Sequence, residues 1–175
     1  MKKVILFLFM FSLIIGMGYG IASAKSPTEG SKLQVIAVNT GFNKDGNAIM
    51  KVFFTYKLDG HPIFPQQHTV NITWNEGWKL EGYNLKSNGK YSKNDLVVSP
   101  FNYSGNIDLE IDANNNFDKS GLGEGYVILT SANKELLSSS IKSSTSINFY
   151  YRSLVKDFQL SDSTAWDNAD ALRLN

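Results

Sequence analysis

Met50-Lys51-Val52-Phe53-Phe54-Thr55-Tyr56-Lys57-Leu58 repeats with a period of two. Met50, Val52, Phe54, Tyr56 and Leu58 fall on one side, and Lys51, Phe53, Thr55 and Lys57 on the other. Successive side chains of an extended strand point to opposite faces, so this segment lays one apolar face on a core and turns a mostly polar face to water. Asp59-Gly60 ends it as a turn pair. Two prolines in His61-Pro62-Ile63-Phe64-Pro65 remove two ladder donors, which makes that stretch an edge or connecting loop.

The same alternation recurs on either side. His68 to Asn75 sets Val70, Ile72 and Trp74 against Thr69, Asn71 and Thr73, a second amphipathic strand. Upstream, Leu33 to Val38 is apolar and partly β-branched and is followed by the turn-forming Asn43-Lys44-Asp45-Gly46-Asn47. Further strands are expected at Trp78 to Leu85, Leu96 to Ser99, Ile107 to Ile111, Tyr126 to Thr130 and Thr145 to Arg152, separated by Gly, Asn, Ser and Lys. Gly121-Leu122-Gly123-Glu124-Gly125 lacks a following helix and reads as a turn before Tyr126. Helix signals are confined to the neighbourhood of Lys134-Glu135-Leu136-Leu137 and to Ser163 to Leu172, where Asp162 or Ser163 would cap a short terminal helix.

About eight short alternating strands without crossover helices specify an all-β, antiparallel architecture, since parallel strands need long returns. A β-sandwich is the expected closure and a small β-barrel the alternative. The expected organisation is a signal peptide over 1–24, a flexible lead-in over 25–32, the sandwich over 33–160 and a C-terminal tail over 161–175.

The leader opens with Lys2 and Lys3, runs apolar from Val4 to Ile15 and reaches Ala22-Ser23-Ala24, the layout a signal peptidase reads. Export to the periplasm or the exterior follows, with no stable membrane anchor after cleavage. Loss of the two lysines turns the formal charge from +1 to −1, which removes any electrostatic case for nucleic acid. The absence of cysteine excludes disulfides, thiolate metal sites and a lipidated cysteine.

Candidate chemistry is sparse. His61 and His68 are the only histidines, and neither sits in a helical metal motif. Asp108, Glu110, Asp112, Asn114, Asn116 and Asp118 carry oxygen at every second position, and from Asp112 the stretch resembles the front half of a calcium loop. Phe117 stands where an EF-hand needs Gly, and Gly123 occupies the twelfth position, so an EF-hand is rejected. A looser β-loop calcium site at Asp112, Asn114, Asn116 and Asp118 is retained as a candidate beside a plain Asn-rich turn. Trp78 and Trp166 have no burial partner in the sequence, and Tyr150 and Arg152 point away from the core if Phe149 and Tyr151 point in. These four are the candidate ligand contacts, the alternative being a Trp that closes the end of a sandwich.

The passage from Val35 to Trp74 resembles bacterial immunoglobulin-like domains of exported adhesins and surface proteins. It is carried by Asn43-Lys44-Asp45-Gly46-Asn47-Ala48, the strand Met50 to Leu58, the linking Asp59-Gly60-His61-Pro62-Ile63 and the strand Thr69 to Trp74. The resemblance implies a sandwich that binds or spaces, with no catalytic residues to transfer. The functional expectation is a non-enzymatic module that recognises a protein or glycan through loops and aromatics. The alternatives are a carboxylate-dependent polysaccharide hydrolase drawing on Asp108, Glu110 or Glu76, and an extracellular subunit that assembles through strand edges.

Overall fold

The computed structural model describes residues 30–59, 67–97, 105–132, 142–152 and 157–168. The expected signal peptide, the Pro62–Pro65 passage, the helix signal near Lys134 and the last seven residues lie outside them. The described residues form β1 (Lys32–Phe42), β2 (Ala48–Lys57), β3 (His68–Trp74), β4 (Trp78–Leu85), β5 (Leu96–Val97), β6 (Asn106–Ile111), the single helical turn α1 (Ala113–Asn116), β7 (Leu122–Ser131), β8 (Lys142–Tyr151) and β9 (Phe158–Asp167).

These strands make two antiparallel sheets, a five-stranded one in the order β1-β2-β7-β4-β5 and a four-stranded one in the order β6-β3-β8-β9. They face each other as a sandwich and do not close into a barrel. The predicted alternation is what fills the space between them. Met50, Val52, Phe54 and Tyr56 of β2 meet Val70 and Ile72 of β3, Leu109 of β6 and Ile147 and Phe149 of β8 in one buried cluster. Each such side chain contributes roughly 1.5–3 kcal/mol when fully buried.

Gly123 and Gly125 lie inside β7, not in a turn before it. Gly123 pairs with Tyr56 and Gly125 with Phe54. The ring of Tyr56 lies where a side chain at 123 would start, since a Cβ there would fall 2.1 Å from Tyr56 Cε2, and one at 125 would fall 2.5 Å from Phe54 Cζ. The alternate glycines are the bed on which two core aromatics rest.

Over Ser163 to Asp167, within the described part of the expected terminal helix, the chain is a strand. From Phe158 to Asp167 the chain alternates between half-buried and exposed positions as β9, paired with β8 over its whole length. Polar residues at two inward positions, Asp162 and Thr164, concealed the period. Asp162 has a reason to face inward: its Oδ2 accepts the backbone N–H of Val35 at 2.8 Å, so it occupies an edge donor of β1 where β1 runs beside β9.

Candidate functional site

The four expected ligand contacts do not converge. Trp78 is 5% exposed, because the turn before it carries β4 inward and the indole closes one end of the sandwich. Its Nε1 donates to Ser143 Oγ at 2.8 Å, and Ser143 Oγ donates to Asn168 Oδ1 at 2.7 Å. Trp166 is half-buried and meets Trp78 edge-on at 5.3 Å. Of the two readings of these indoles, Trp78 takes that of a Trp closing the end of the sandwich, because burying a large apolar ring outweighs the polarity of its neighbours in sequence. Tyr150 and Arg152 lie at the other end of β8. Tyr150 is half-exposed on the outer face of the four-stranded sheet, flanked by Thr69 and Gln159, and Arg152 is exposed just past the strand. Trp166 pairs with Ser143, seven residues before Tyr150, so the two pairs stand about 24 Å apart along the strand.

The oxygens of the candidate calcium loop serve the loop itself. Asp112 caps α1: its Oδ1 accepts the N–H of Asn114 at 2.8 Å and its Oδ2 accepts Asn115 Nδ2 at 2.6 Å. Asn116 Oδ1 accepts the N–H of Asp112 at 3.0 Å, and Asn116 Nδ2 donates to Lys86 O. Asp118 Oδ1 accepts from Ser120 Oγ, Ser120 N and Leu122 N, at 2.7, 2.8 and 3.0 Å. The Ser120 hydroxyl first, then the Leu122 N–H, hold its carboxyl below the ordinary range. Asn114 is exposed. Among the described residues, no group of three or more His, Asp or Glu side chains is arranged to hold a metal ion.

The carboxylates of the hydrolase alternative are also spread out. Asp108 accepts from Asn71 Nδ2 at 2.8 Å and Glu110 from Gln67 Nε2 at 2.6 Å, both on the exposed side of β6. Glu76 lies in the turn between β3 and β4, at the opposite end of the sheet from Glu110, which pairs with Thr69.

The surface that departs most from an ordinary polar sheet face is the outside of the five-stranded sheet. Cross-strand register sets Ile36, Phe53 and Tyr126 in one row and Val38, Lys51 and Ile128 in the next. Ile36 is 58% and Val38 43% exposed. Tyr126 meets Phe53 at 5.5 Å and Tyr91 at 5.2 Å, both tilted. Lys51 Nζ lies 3.6 Å from the Tyr126 ring centroid, in cation–π contact.

The chain after β4 folds over one side of this face. Asn84, buried, fastens it by donating to Ser92 O at 3.2 Å and to Asn94 O at 3.4 Å, and by accepting from Ser92 N at 3.2 Å. Tyr126 Oη donates to Asp95, and Tyr91 Oη to Glu124 Oε2 at 3.4 Å. Lys86 pairs with Glu124 at 3.0 Å. Burial, followed by the Glu124 charge, pushes the Tyr91 phenol up to about 12, and burial then the Asp95 hydrogen bond raise that of Tyr126. Both phenols are donors at neutral pH, fixed to carboxylates, so the rings are held in place. Sequence reasoning missed this face, although two signals were legible: Phe53 on the nominally polar side of β2, and Val35-Ile36-Ala37-Val38, which is apolar on both sides of β1.

No family model and no curated protein matches the chain. Solved structures do. Full-length SpaD, the major pilin of Corynebacterium diphtheriae, superposes with a TM-score of 0.54 at 8% identity, over 78% of this chain and 34% of that one. The chain has the fold of bacterial pilin and adhesin domains. The N-terminal domain of the Streptococcus gordonii adhesin Sgo0707 gives 0.52 at 9% identity, over 82% of this chain and 33% of that one. Domains D2 and D3 of SpaD give 0.53 at 8% identity, over 77% of this chain and 51% of the other. The chain spans about a third of full-length SpaD and of the Sgo0707 domain. The likeness therefore concerns the sandwich, in agreement with the immunoglobulin-like resemblance read from Val35 to Trp74.

Proposed function

We propose that the protein is an exported, non-enzymatic module of a bacterial surface or secreted protein that recognises a protein partner through the outside of its five-stranded sheet. The observation that carries this reading is the pair of exposed side chains Ile36 and Val38 beside half-buried Phe53, in register with the buried Tyr126, an apolar surface that water disfavours and a partner would cover. Two aliphatic side chains beside the aromatics favour a protein over a glycan, for which stacking rings and hydroxyl partners would suffice. The leader supports export, and the pilin and adhesin neighbours support a binding or structural role.

Assembly through strand edges has less support. Asp162 occupies an edge donor of β1, β5 is two residues long, and β6 presents Asp108 and Glu110 along its length. The test is binding of the mature chain, residues 25–175, to immobilised extracellular matrix proteins and to a glycan array, beside an Ile36→Lys, Val38→Lys variant. The expected result is a protein ligand that the variant loses while its circular dichroism is unchanged. Equal binding by the variant removes this surface from the function, and binding to glycans alone replaces the protein partner.

A further inference from the structure

His68 opens β3 and is fully buried, although its neighbours in sequence are polar. Its ring stacks on Tyr151 of β8 at 4.6 Å and 19°, and meets Phe149 at 5.8 Å and Phe117 edge-on at 5.9 Å. Nδ1 accepts the backbone N–H of Arg152 at 3.1 Å. An accepting Nδ1 places the single proton of the neutral ring on Nε2, which is buried with no hydrogen-bond partner among the described residues.

This hydrogen bond joins two sheet elements where their ladder stops. The pairing of β3 with β8 ends at Thr69 and Tyr150, so His68 continues it by one side-chain contact to Arg152. Beyond it, Tyr151 stacks on Phe158 at 4.6 Å and 19°, at the start of β9. The ring thus holds both the end of β8 and the start of β9 at one end of the sandwich.

We propose that His68 is an acid-sensitive latch, whose protonation releases the Tyr151–Arg152 end of β8 and the Phe158 start of β9 while the opposite end of the sandwich stays closed. An imidazolium must donate from both nitrogens, so Nδ1 can no longer accept from Arg152. Among the described residues, no carboxylate faces the ring to receive the new donor. Among the described residues, the titratable groups packed around it are the phenols of Tyr151 and, through Phe117 and Phe149, of Tyr56, the latter buried with its hydroxyl unpartnered. Glu110 of β6 and the Arg152 side chain both face solvent. Burial alone lowers the affinity of the ring for a proton, to a value of about 4. The opposite end is held by Trp78, Ser143 and Asn168, none of which titrates in this range. A module exposed to acid would therefore loosen at one end before it unfolds.

The test is amide hydrogen exchange by NMR on the whole protein between pH 7 and pH 4, corrected for intrinsic exchange rates, with the Trp78 indole N–H as the internal control. Arg152 should lose at least tenfold in protection between pH 7 and pH 4.5 while the Trp78 indole keeps its own. His68→Asn retains an acceptor near the position of Nδ1 and cannot titrate, so its Arg152 protection should not change with pH. Equal protection of Arg152 at both pH values in the unmodified protein overturns the proposal. Loss of protection at Arg152 and Trp78 together overturns it as well, because that marks global acid unfolding. The unmodified protein decides the matter alone if the variant does not fold.

Discussion

Gly123→Ala is the sharpest probe of how the five-stranded sheet meets the core. The added Cβ would fall 2.1 Å from Tyr56 Cε2 and 2.3 Å from Cζ, against an ordinary carbon contact of about 3.5–4.0 Å. Tyr56 is fully buried, stacked on Phe149 at 4.8 Å and edge-on to Phe117 at 5.1 Å, so its ring has no free direction in which to retreat. Overpacking of this kind costs about 1–3 kcal/mol, and the rigid strand backbone places the cost near the upper figure. Gly123 is not at positive φ, so alanine fits the backbone and by itself stabilises by about 0.4–1 kcal/mol through the unfolded chain. Shortening the ring should therefore reverse the sign. In a Tyr56→Leu background, itself destabilised by about 2–3 kcal/mol through lost packing, Gly123→Ala should be neutral or stabilising. Urea unfolding of the four proteins measures the coupling as a double-mutant cycle, expected at about 2–3 kcal/mol. A neutral single mutant, or additive effects of the two changes, would refute the account of β7 as a bed for Tyr56.

Further outcomes follow from other contacts. Trp78→Phe removes the donor to Ser143 Oγ and should cost about 1–2 kcal/mol in urea unfolding, with no loss of secondary structure by circular dichroism. Asp162→Ala takes the acceptor from the Val35 N–H and should cost about 1 kcal/mol, with faster exchange of that amide specifically. His68 binds its proton less readily in the folded chain than in the unfolded one, so its contribution is complete above about pH 6.5 and is lost as pH falls to about 4. Urea melts across that window should decline by about 3 kcal/mol more than those of His68→Asn, and parallel declines would remove His68 as the cause. Millimolar calcium should leave the melting temperature unchanged, because Asp112 and Asp118 already accept the donors of their own turns. A rise would mean that the loop rearranges to bind the ion.

What the sequence by itself determined is the set of strands whose apolar residues recur at every second position, and with them an antiparallel all-β fold; the choice of sandwich over barrel came from the strand order. Met50 to Leu58 and His68 to Trp74 could be placed because burial of one face demands that period whatever the partner strand. β9 was hidden because Asp162 and Thr164 face inward, and an inward Asp makes sense only once Val35, distant in sequence, supplies the N–H it accepts. The two glycines of β7 looked like turn residues until cross-strand register set Tyr56 and Phe54 over them. The candidate surface could not be assembled from its two legible signals for the same reason: Ile36, Phe53, Tyr126 and Tyr91 come from four separate stretches and form one face only through strand order and the fold of the chain after β4. Periodicity is local and can be read along a chain. Which strands become neighbours is set by the packing of the whole core, and that packing decided where the aromatics of the outer face and the buried histidine came to lie.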